Sequence, residues 1–263
     1  MKIEVSFSAA HLDEMQLREK NVVVIDVLRA STTITTALAN GAREIIPVAT
    51  IENAVKVSGS LFGDVTLRGG ERNGKIIQGF NLGNSPLEYG PATVRGKSII
   101  YCTTNGSVAL VRARHARNLL VGSFVNLTRL VEFMSEVSAD FLLLCAGRVP
   151  ALGGFSLEDA VCAGMIIDRL SKEVAEVLDL SDGAVAARTL FKSHGRSIPK
   201  LLKSSDHGKY LAQIGFTEDL KICSAVDGVP VLPVWTGTSL RLRKEDAGKG
   251  AAESVPAEKP PTT

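Results

Sequence analysis

Aromatic residues make up only 5% of this 263-residue chain. That scarcity argues against the base-stacking platforms of single-strand binders. An excess of either charge is also missing: 30 Lys and Arg against 28 Asp and Glu leave a formal charge of +2. The balance speaks against a dedicated nucleic-acid or membrane-surface protein. No apolar run approaches the ~20 residues of a membrane span. The N-terminal MKIEVSF has the texture of a strand and lacks a signal-peptide core. The cysteines Cys102, Cys145, Cys162 and Cys223 are widely spaced with no CxxC pair. They fit reduced thiols in a cytoplasmic protein better than a disulfide frame.

Several catalytic signatures are absent as well. There is no Walker-type phosphate loop and no GxGxxG, so nucleotide cofactors are not indicated. No cysteine is followed six positions later by arginine, as a Cys-x5-Arg phosphatase loop requires. Asp26-Val27-Leu28 lacks the second aspartate of a DxDxT or DxDxV phosphatase, and Ser193-His194-Gly195 lacks the arginine that opens a histidine-phosphatase motif. The four histidines show no ligand spacing, which weakens a zinc reading.

What is present is a 45% hydrophobic chain with regular alternation. Short β-branched runs predict strands at Ile3–Phe7, Val22–Val27, Glu44–Val48, Val65–Leu67, Ser98–Tyr101, Asn118–Val121, Phe141–Leu144 and Val229–Val234. Helical patterns fall between most of them, at Thr32–Asn40, Ile51–Leu61, Ser107–Arg114, Leu127–Glu136 and Leu157–Leu170, with Gly41 placed for a helix C-cap. This predicts an α/β fold, a three-layer α/β/α arrangement around a largely parallel or mixed sheet. Residues 172–223 form an added helical segment, through Val174–Leu178, Ala184–Lys192 and Lys209–Ala212. The strand Val229–Val234, with Pro230 and Pro233, is expected to return at the sheet edge. One domain over residues 1–243 and a disordered tail over 244–263, rich in Ala, Pro and charge, complete the layout.

The most informative stretch is Val22 to Ala39, VVVIDVLRASTTITTALA. An apolar strand ends at Asp26; Arg29 follows, then Ser31, Thr32, Thr33 and Thr35 open a helix. This is the usual construction of an anion site, with N–H groups at the helix start and the guanidinium fork of Arg29. Asp26 would repel that anion unless it holds a cation or does chemistry, a conflict that points to Mg²⁺-assisted phosphate chemistry. The same grammar recurs at Cys102-Thr103-Thr104-Asn105-Gly106, at Gly122-Ser123 with Asn126, and at Cys145-Ala146-Gly147-Arg148 leading to Ser156. Each turn alone is explained by a helix N-cap. Together they predict a polar crevice along one sheet edge.

Leu67–Arg72 supplies a second charged cluster, with Gly69 and Gly70 allowing close backbone approach and Glu71 placed to share a metal with Asp26. A solvated turn with Glu71 and Arg72 paired is the plain alternative. Phe80–Pro86, carrying Asn84 and Ser85, is expected to be an ordered active-site lid. Ser156 and Asp159 fit a capping box, while Glu158 and Asp159 at that helix start also suit Mg²⁺. Cys145 ends a strand facing the crevice, but a small buried residue is favoured over a nucleophile.

The motifs IDVLRASTTITTAL, LRGGERNGKIIQGFNLGNSPLEY, TTNGSVAL, GSFVNLT, CAG and FSLEDAVCAG, in order from Val22 to Gly164, resemble the 2-phosphosulfolactate phosphatases. The likeness continues more loosely through Ser205–Gly208, Gly215–Leu220, Cys223, Asp227 and Pro230. It implies a Mg²⁺-dependent enzyme of coenzyme M biosynthesis that converts (2R)-O-phospho-3-sulfolactate to (2R)-3-sulfolactate. The expected catalytic residues are Asp26, Arg29 and Glu71. Substrate contacts are expected from Ser31, Thr32, Gly70, Arg72, Asn84, Ser85, Thr103, Thr104, Asn105, Gly106, Ser123 and Asn126. The metal shell is expected from Asp26, Glu71, Asp159 and Glu158, with Asp26 either ligand or nucleophile. An aspartyl-phosphate and direct attack by water both stay open, as does homo-oligomerisation. The partner is a small anionic phosphate ester, not nucleic acid or membrane. A non-catalytic binder of a small phosphorylated or sulfonated anion is the alternative; carboxylates beside the ligand weigh against it.

Overall fold

The aliphatic runs form the strands β1 (Lys2–Ser6), β2 (Asn21–Ile25), β3 (Glu44–Pro47), β4 (Thr66–Arg72), β5 (Lys75–Ile76), β6 (Ser98–Cys102), β7 (Asn118–Gly122), β8 (Phe141–Cys145), β9 (Asp179–Leu180), β10 (Pro233–Trp235) and β11 (Leu240–Leu242). Between them lie α1 (Glu14–Leu17), α2 (Ala30–Ala39), α3 (Ile51–Ser60), α4 (Pro91–Val94), α5 (Gly106–Arg112), α6 (Leu127–Val137), α7 (Leu157–Glu173), α8 (Asp182–His194), α9 (Ile198–Ser204), α10 (Asp206–Gln213) and α11 (Thr217–Cys223). The computed structural model describes residues 1–10, 12–60, 66–148 and 154–246. The predicted positions Leu61 and Val65, and the tail from residue 247, lie outside the described residues. No helix among the described residues is long and apolar enough to cross a membrane.

One sheet runs β5-β4-β6-β3-β11-β10-β7-β2-β8-β1-β9. Strands β4, β6 and β3 are mutually parallel, as are β7, β2, β8, β1 and β9. The steps β3–β11, β11–β10 and β10–β7 are antiparallel, so the two parallel blocks run in opposite senses. Every residue of β2, β6 and β8 is buried. Alternate side chains feed two layers. Val23, Ile25, Leu120 and Leu143 pack with Leu130, Met134, Val161 and Ile166 of α6 and α7. Val22, Val24, Leu119, Leu144 and Tyr101 pack on the opposite face with Ile34 and Leu38 of α2 and Ala109 and Leu110 of α5. The three-layer α/β/α expectation holds.

Four expectations are corrected. The predicted last strand, Val229–Val234, does not reach an edge: β10 and β11 form a hairpin in the middle of the sheet. Pro233 is tolerated because it is the first residue of β10, whose pairing to β7 is the single register Val234↔Leu120. Val174–Leu178 is not helical; it leaves α7 as open chain, with Val177 95% exposed, and enters edge strand β9. The cluster Arg68–Arg72 is not a turn after a strand but the strand β4 itself, paired to β6 as far as Gly70↔Cys102. Lys244–Asp246 is a 3₁₀ turn, not tail. Asp246 is fully buried, accepting from Arg129 Nε at 3.0 Å and Nη2 at 2.6 Å and from Leu232 N–H at 2.9 Å.

The hairpin is tied to β3 and β6 through Glu44. Its carboxylate accepts from Ser98 Oγ (2.7 Å), Ser239 Oγ (2.8 Å) and Arg241 Nη2 (2.7 Å). Burial pushes this acid up, but those hydrogen bonds and the Arg241 charge outweigh it and lower it from 4.5 to about 2. A depressed acid stabilises the fold above its unfolded value and loses that contribution as pH falls from about 4.5 towards 2. The thermal midpoint is therefore expected to fall over that range, and Glu44→Gln to fall less steeply. Parallel melting curves of the two proteins between pH 5 and 2.5 check this; superimposable slopes would remove the assignment.

Candidate functional site

Strand β2 delivers Asp26, and the first turn of α2 folds back onto it. Asp26 N–H donates to Ser31 Oγ at 2.9 Å, Ser31 N–H returns to Asp26 O at 2.9 Å, and Ala30 N–H donates to Asp26 Oδ1 at 3.1 Å. The other carboxylate oxygen faces the start of α5. A Cβ built on Gly106 would lie 2.5 Å from Asp26 Oδ2 and 2.5 Å from Ala30 Cβ, so only glycine fits. Thus the end of β2 and the end of β6 meet although their blocks run oppositely. These two turns meet at that junction rather than lining one sheet edge.

Glu71 closes the junction from β4. Its Oε1 accepts from Thr104 N–H at 2.8 Å and its Oε2 from Gly74 N–H at 2.9 Å. Gly70 stands at φ +144°, where an added Cβ would be 1.9 Å from Cys102 O. The glycine therefore serves close strand approach rather than ligand contact. Half-buried Arg72 donates to Glu71 O at 2.9 Å and lies 3.2 Å from Cys102 Sγ. The Glu71–Arg72 side-chain pairing considered from sequence is not what holds either group.

Two acids of α7 complete the cluster. Ser156 caps the helix by accepting from Asp159 N–H at 3.4 Å. The reciprocal half of the capping box is missing, because the Asp159 carboxylate accepts from Val27 N–H (2.8 Å) and Gly147 N–H (3.3 Å) instead. Asp159 thereby braces the turns after β2 and β8. Glu158 is 2% exposed, and its Oε1 has no hydrogen-bond partner. His207 Nδ1 of α10 lies 3.6 Å from that oxygen, too long for a hydrogen bond.

Burial, opposed by His207 and the Ala30 N–H and reinforced by Glu71 and Glu158, raises Asp26 from 3.8 to about 6. Burial with Asp26 and Glu158 pushes Asp159 well above its usual range. Burial would raise Glu158 too, but His207 leads the groups that hold it lower. Like charges crowded out of water make a site that a cation relieves.

Most of the predicted hydroxyl and amide contacts are taken up internally. Thr32 Oγ1 donates to Val27 O (3.0 Å) and lies 3.3 Å from Ser123 Oγ; Thr33 Oγ1 donates to Asn84 O (2.9 Å). Asn84 Oδ1 accepts from Tyr101 OH, and Ser85 Oγ donates to Asp219 Oδ1 at 2.6 Å. Ser123 and Asn126 form a complete capping box and are fully buried. Thr103 Oγ1 accepts from Ser107 N–H. Thr104 and Asn105 remain half-buried at the junction, and Asn105 makes no side-chain cap bond. The loop Phe80–Pro86 is ordered but fixed rather than lid-like, because Asn81 and Leu82 N–H donate to Arg68 O. Cys145 is buried in the α6–α7 core, not facing the crevice, and burial pushes its thiol well up.

Arg29 departs furthest from expectation. It is 2% exposed, Nη1 pairs with Asp219 Oδ2 at 2.6 Å, Nη2 donates to Gly74 O at 2.7 Å, and Phe216 stacks 4.3 Å from the guanidinium. The fork is anchored inside the protein, not offered to an anion. His207 and Asp219 had no assigned role from sequence. Asp219 sits in the first turn of a helix, where an acid is ordinary, and lies 190 residues from Arg29.

A family model described as 2-phosphosulpholactate phosphatase matches residues 7–238. Proteins named as probable 2-phosphosulfolactate phosphatases are similar over most of their length. One from Caldanaerobacter subterraneus subsp. tengcongensis is 40% identical over 222 residues, 84% of this chain and 90% of the relative. One from Clostridium acetobutylicum is 37% identical over 240 residues, 90% and 98%. One from Thermotoga maritima is 42% identical over 214 residues, 81% and 88%.

Proposed function

Because the chain belongs to the 2-phosphosulpholactate phosphatase family, and is thereby a phosphoric monoester hydrolase, we propose that it cleaves (2R)-O-phospho-3-sulfolactate, or a related 2-hydroxy-acid phosphate ester, with Mg²⁺. The observation that carries this reading is the buried cluster of Asp26, Glu71, Glu158 and Asp159 at the meeting of β2, β4, β6 and α7. A site for a polyanion has little use for carboxylates beside its ligand unless a cation offsets them.

The residues fit a hard cation. Among the described residues no cage of three or more His, Cys, Asp or Glu side chains is formed. Mg²⁺ needs none, since it keeps several waters and takes one or two carboxylates plus substrate phosphate oxygens. Asp26 and Glu158 would hold it, because Asp26 Oδ2 lies at the junction and Glu158 Oε1 is unpartnered. Glu71 lies beside them, while both oxygens of Asp159 are engaged by backbone. Bound Mg²⁺ supplies charge neutralisation at the phosphoryl group. The protein contributes Asp26 in a fixed turn, with Arg72, Thr104 and Asn105 bordering the junction.

The test is release of inorganic phosphate from a panel of phosphorylated three-carbon acids with Mg²⁺. The sulfonate-bearing ester is expected to lead its sulfonate-free analogue by about tenfold or more in kcat/KM, about 1.4 kcal/mol of discrimination. Equal rates across the panel would remove the sulfonate from the reading. Tight binding without phosphate release would favour the anion-binding alternative.

A further inference from the structure

We propose that Asp219 is a positioning residue for hydrolysis: from α11 it fixes the Asp26–Arg29 turn against the Glu71 strand end and the Asn84–Ser85 loop. The proposal rests on the hydrolytic reading of the Asp26 site.

Asp219 is buried, and both of its carboxylate oxygens are taken by protein donors. Its Oδ2 pairs with Arg29 Nη1 at 2.6 Å and its Oδ1 accepts from Ser85 Oγ at 2.6 Å. Arg29 Nη2 continues to Gly74 O at 2.7 Å. Gly74 N–H donates to Glu71 Oε2, whose partner oxygen accepts from Thr104 N–H. A continuous chain of directional bonds thus runs from α11 through the turn after β2 to the turn after β6. Arg29 O also accepts from Thr33 N–H at 2.9 Å, so movement of Arg29 moves the start of α2, where Ala30 N–H holds Asp26.

Stability alone does not explain such a pair. Removing two charges from water is expensive, and a well-packed apolar pair often serves as well or better. What an apolar pair cannot do is fix direction at both ends. Displacement of a reacting group by about 1 Å can lower turnover about 10²-fold.

Three variants separate the roles: Asp219→Asn, Ser85→Ala, and the apolar pair Arg29→Met with Asp219→Leu. Thermal midpoint, kcat and KM are measured with the ester that the parent hydrolyses at saturating Mg²⁺. Exchange of the Ser31 and Gly74 amides is followed by NMR. We expect Asp219→Asn to lower kcat about tenfold or more with KM within about threefold, and to speed exchange at Ser31 and Gly74 about tenfold. Ser85→Ala is expected to do the same to a smaller degree. The apolar pair is expected to regain the parental midpoint without regaining kcat, and it answers the question if Asp219→Asn does not fold. Recovery of turnover by the apolar pair, or parental kcat in folded Asp219→Asn, overturns the proposal. Amide exchange needs no substrate: an inactive parent would sink the hydrolytic reading, whereas parental protection of both amides in Asp219→Asn would sink this one.

Discussion

Asp26→Asn is expected to lower kcat on the order of 10² or more while the protein stays folded. A factor of 10² corresponds to about 2.7 kcal/mol of barrier, the scale of one strong electrostatic contributor. Asparagine preserves the acceptor that Asp26 Oδ1 offers to Ala30 N–H. It removes the negative charge from the oxygen that faces Gly106. Stability should move the other way. Burial, with Glu71 and Glu158, raises this acid to about 6, so above that pH the fold carries a charge it disfavours. A raised acid contributes stability that is present below its unfolded value near 3.8 and lost as pH rises through about 6. A neutral residue avoids that loss, so at pH 7 to 8 without metal the midpoint should hold or rise. If Asp26 only capped α2, the variant would melt earlier and turn over normally. That pair of measurements on one purified variant would falsify the catalytic assignment.

The placement of Asp26 at the end of a buried strand is legible in the sequence because the signal is local. The placement of the threonine turn after β6 is legible for the same reason. Side chains whose partners are distant are not. The hydroxyls of Ser31 and Thr32 stand at the junction but satisfy backbone groups, which only the fold reveals. Arg29 looked like an anion grip because nothing near it in sequence competes for the fork, and its competitor is 190 residues away. The approach of His207 to Glu158 is not legible in histidine spacing along the chain, because the two lie on different helices. The alternation of strand and helix gave the layers, and their reversal escaped because it depends on β10 and β11, three residues each. No periodicity is readable in so short a run. Gly69 and Gly70 misled for a related reason: glycine usually punctuates, and here it lets β4 lie close to β6.

Removal of divalent metal is expected to abolish turnover, and Mg²⁺ to restore it. The cationic side chains near the junction are few. Among the described residues Arg29 is neutralised by Asp219 at 2.6 Å, which leaves half-buried Arg72 beside Asp26, Glu71, Glu158 and Asp159. A substrate bearing phosphate, carboxylate and sulfonate adds more negative charge to the same volume. Like charges packed closely out of water repel, so on the proposed reading a cation is expected to serve both binding and reaction. The carboxylates are not equivalent in this respect. Glu158 Oε1 is unpartnered, whereas both oxygens of Asp159 accept backbone N–H bonds. Glu158→Gln is therefore expected to raise the half-activating Mg²⁺ concentration about tenfold or more. Asp159→Asn should lower the thermal midpoint and leave that concentration within about threefold of the parent. Phosphate release is measured after chelation and dialysis, then across a Mg²⁺ titration, on the parent and both variants. Full turnover in metal-free protein would remove the metal altogether. An unchanged titration in Glu158→Gln, with a shifted one in Asp159→Asn, would move the ion to the other carboxylate.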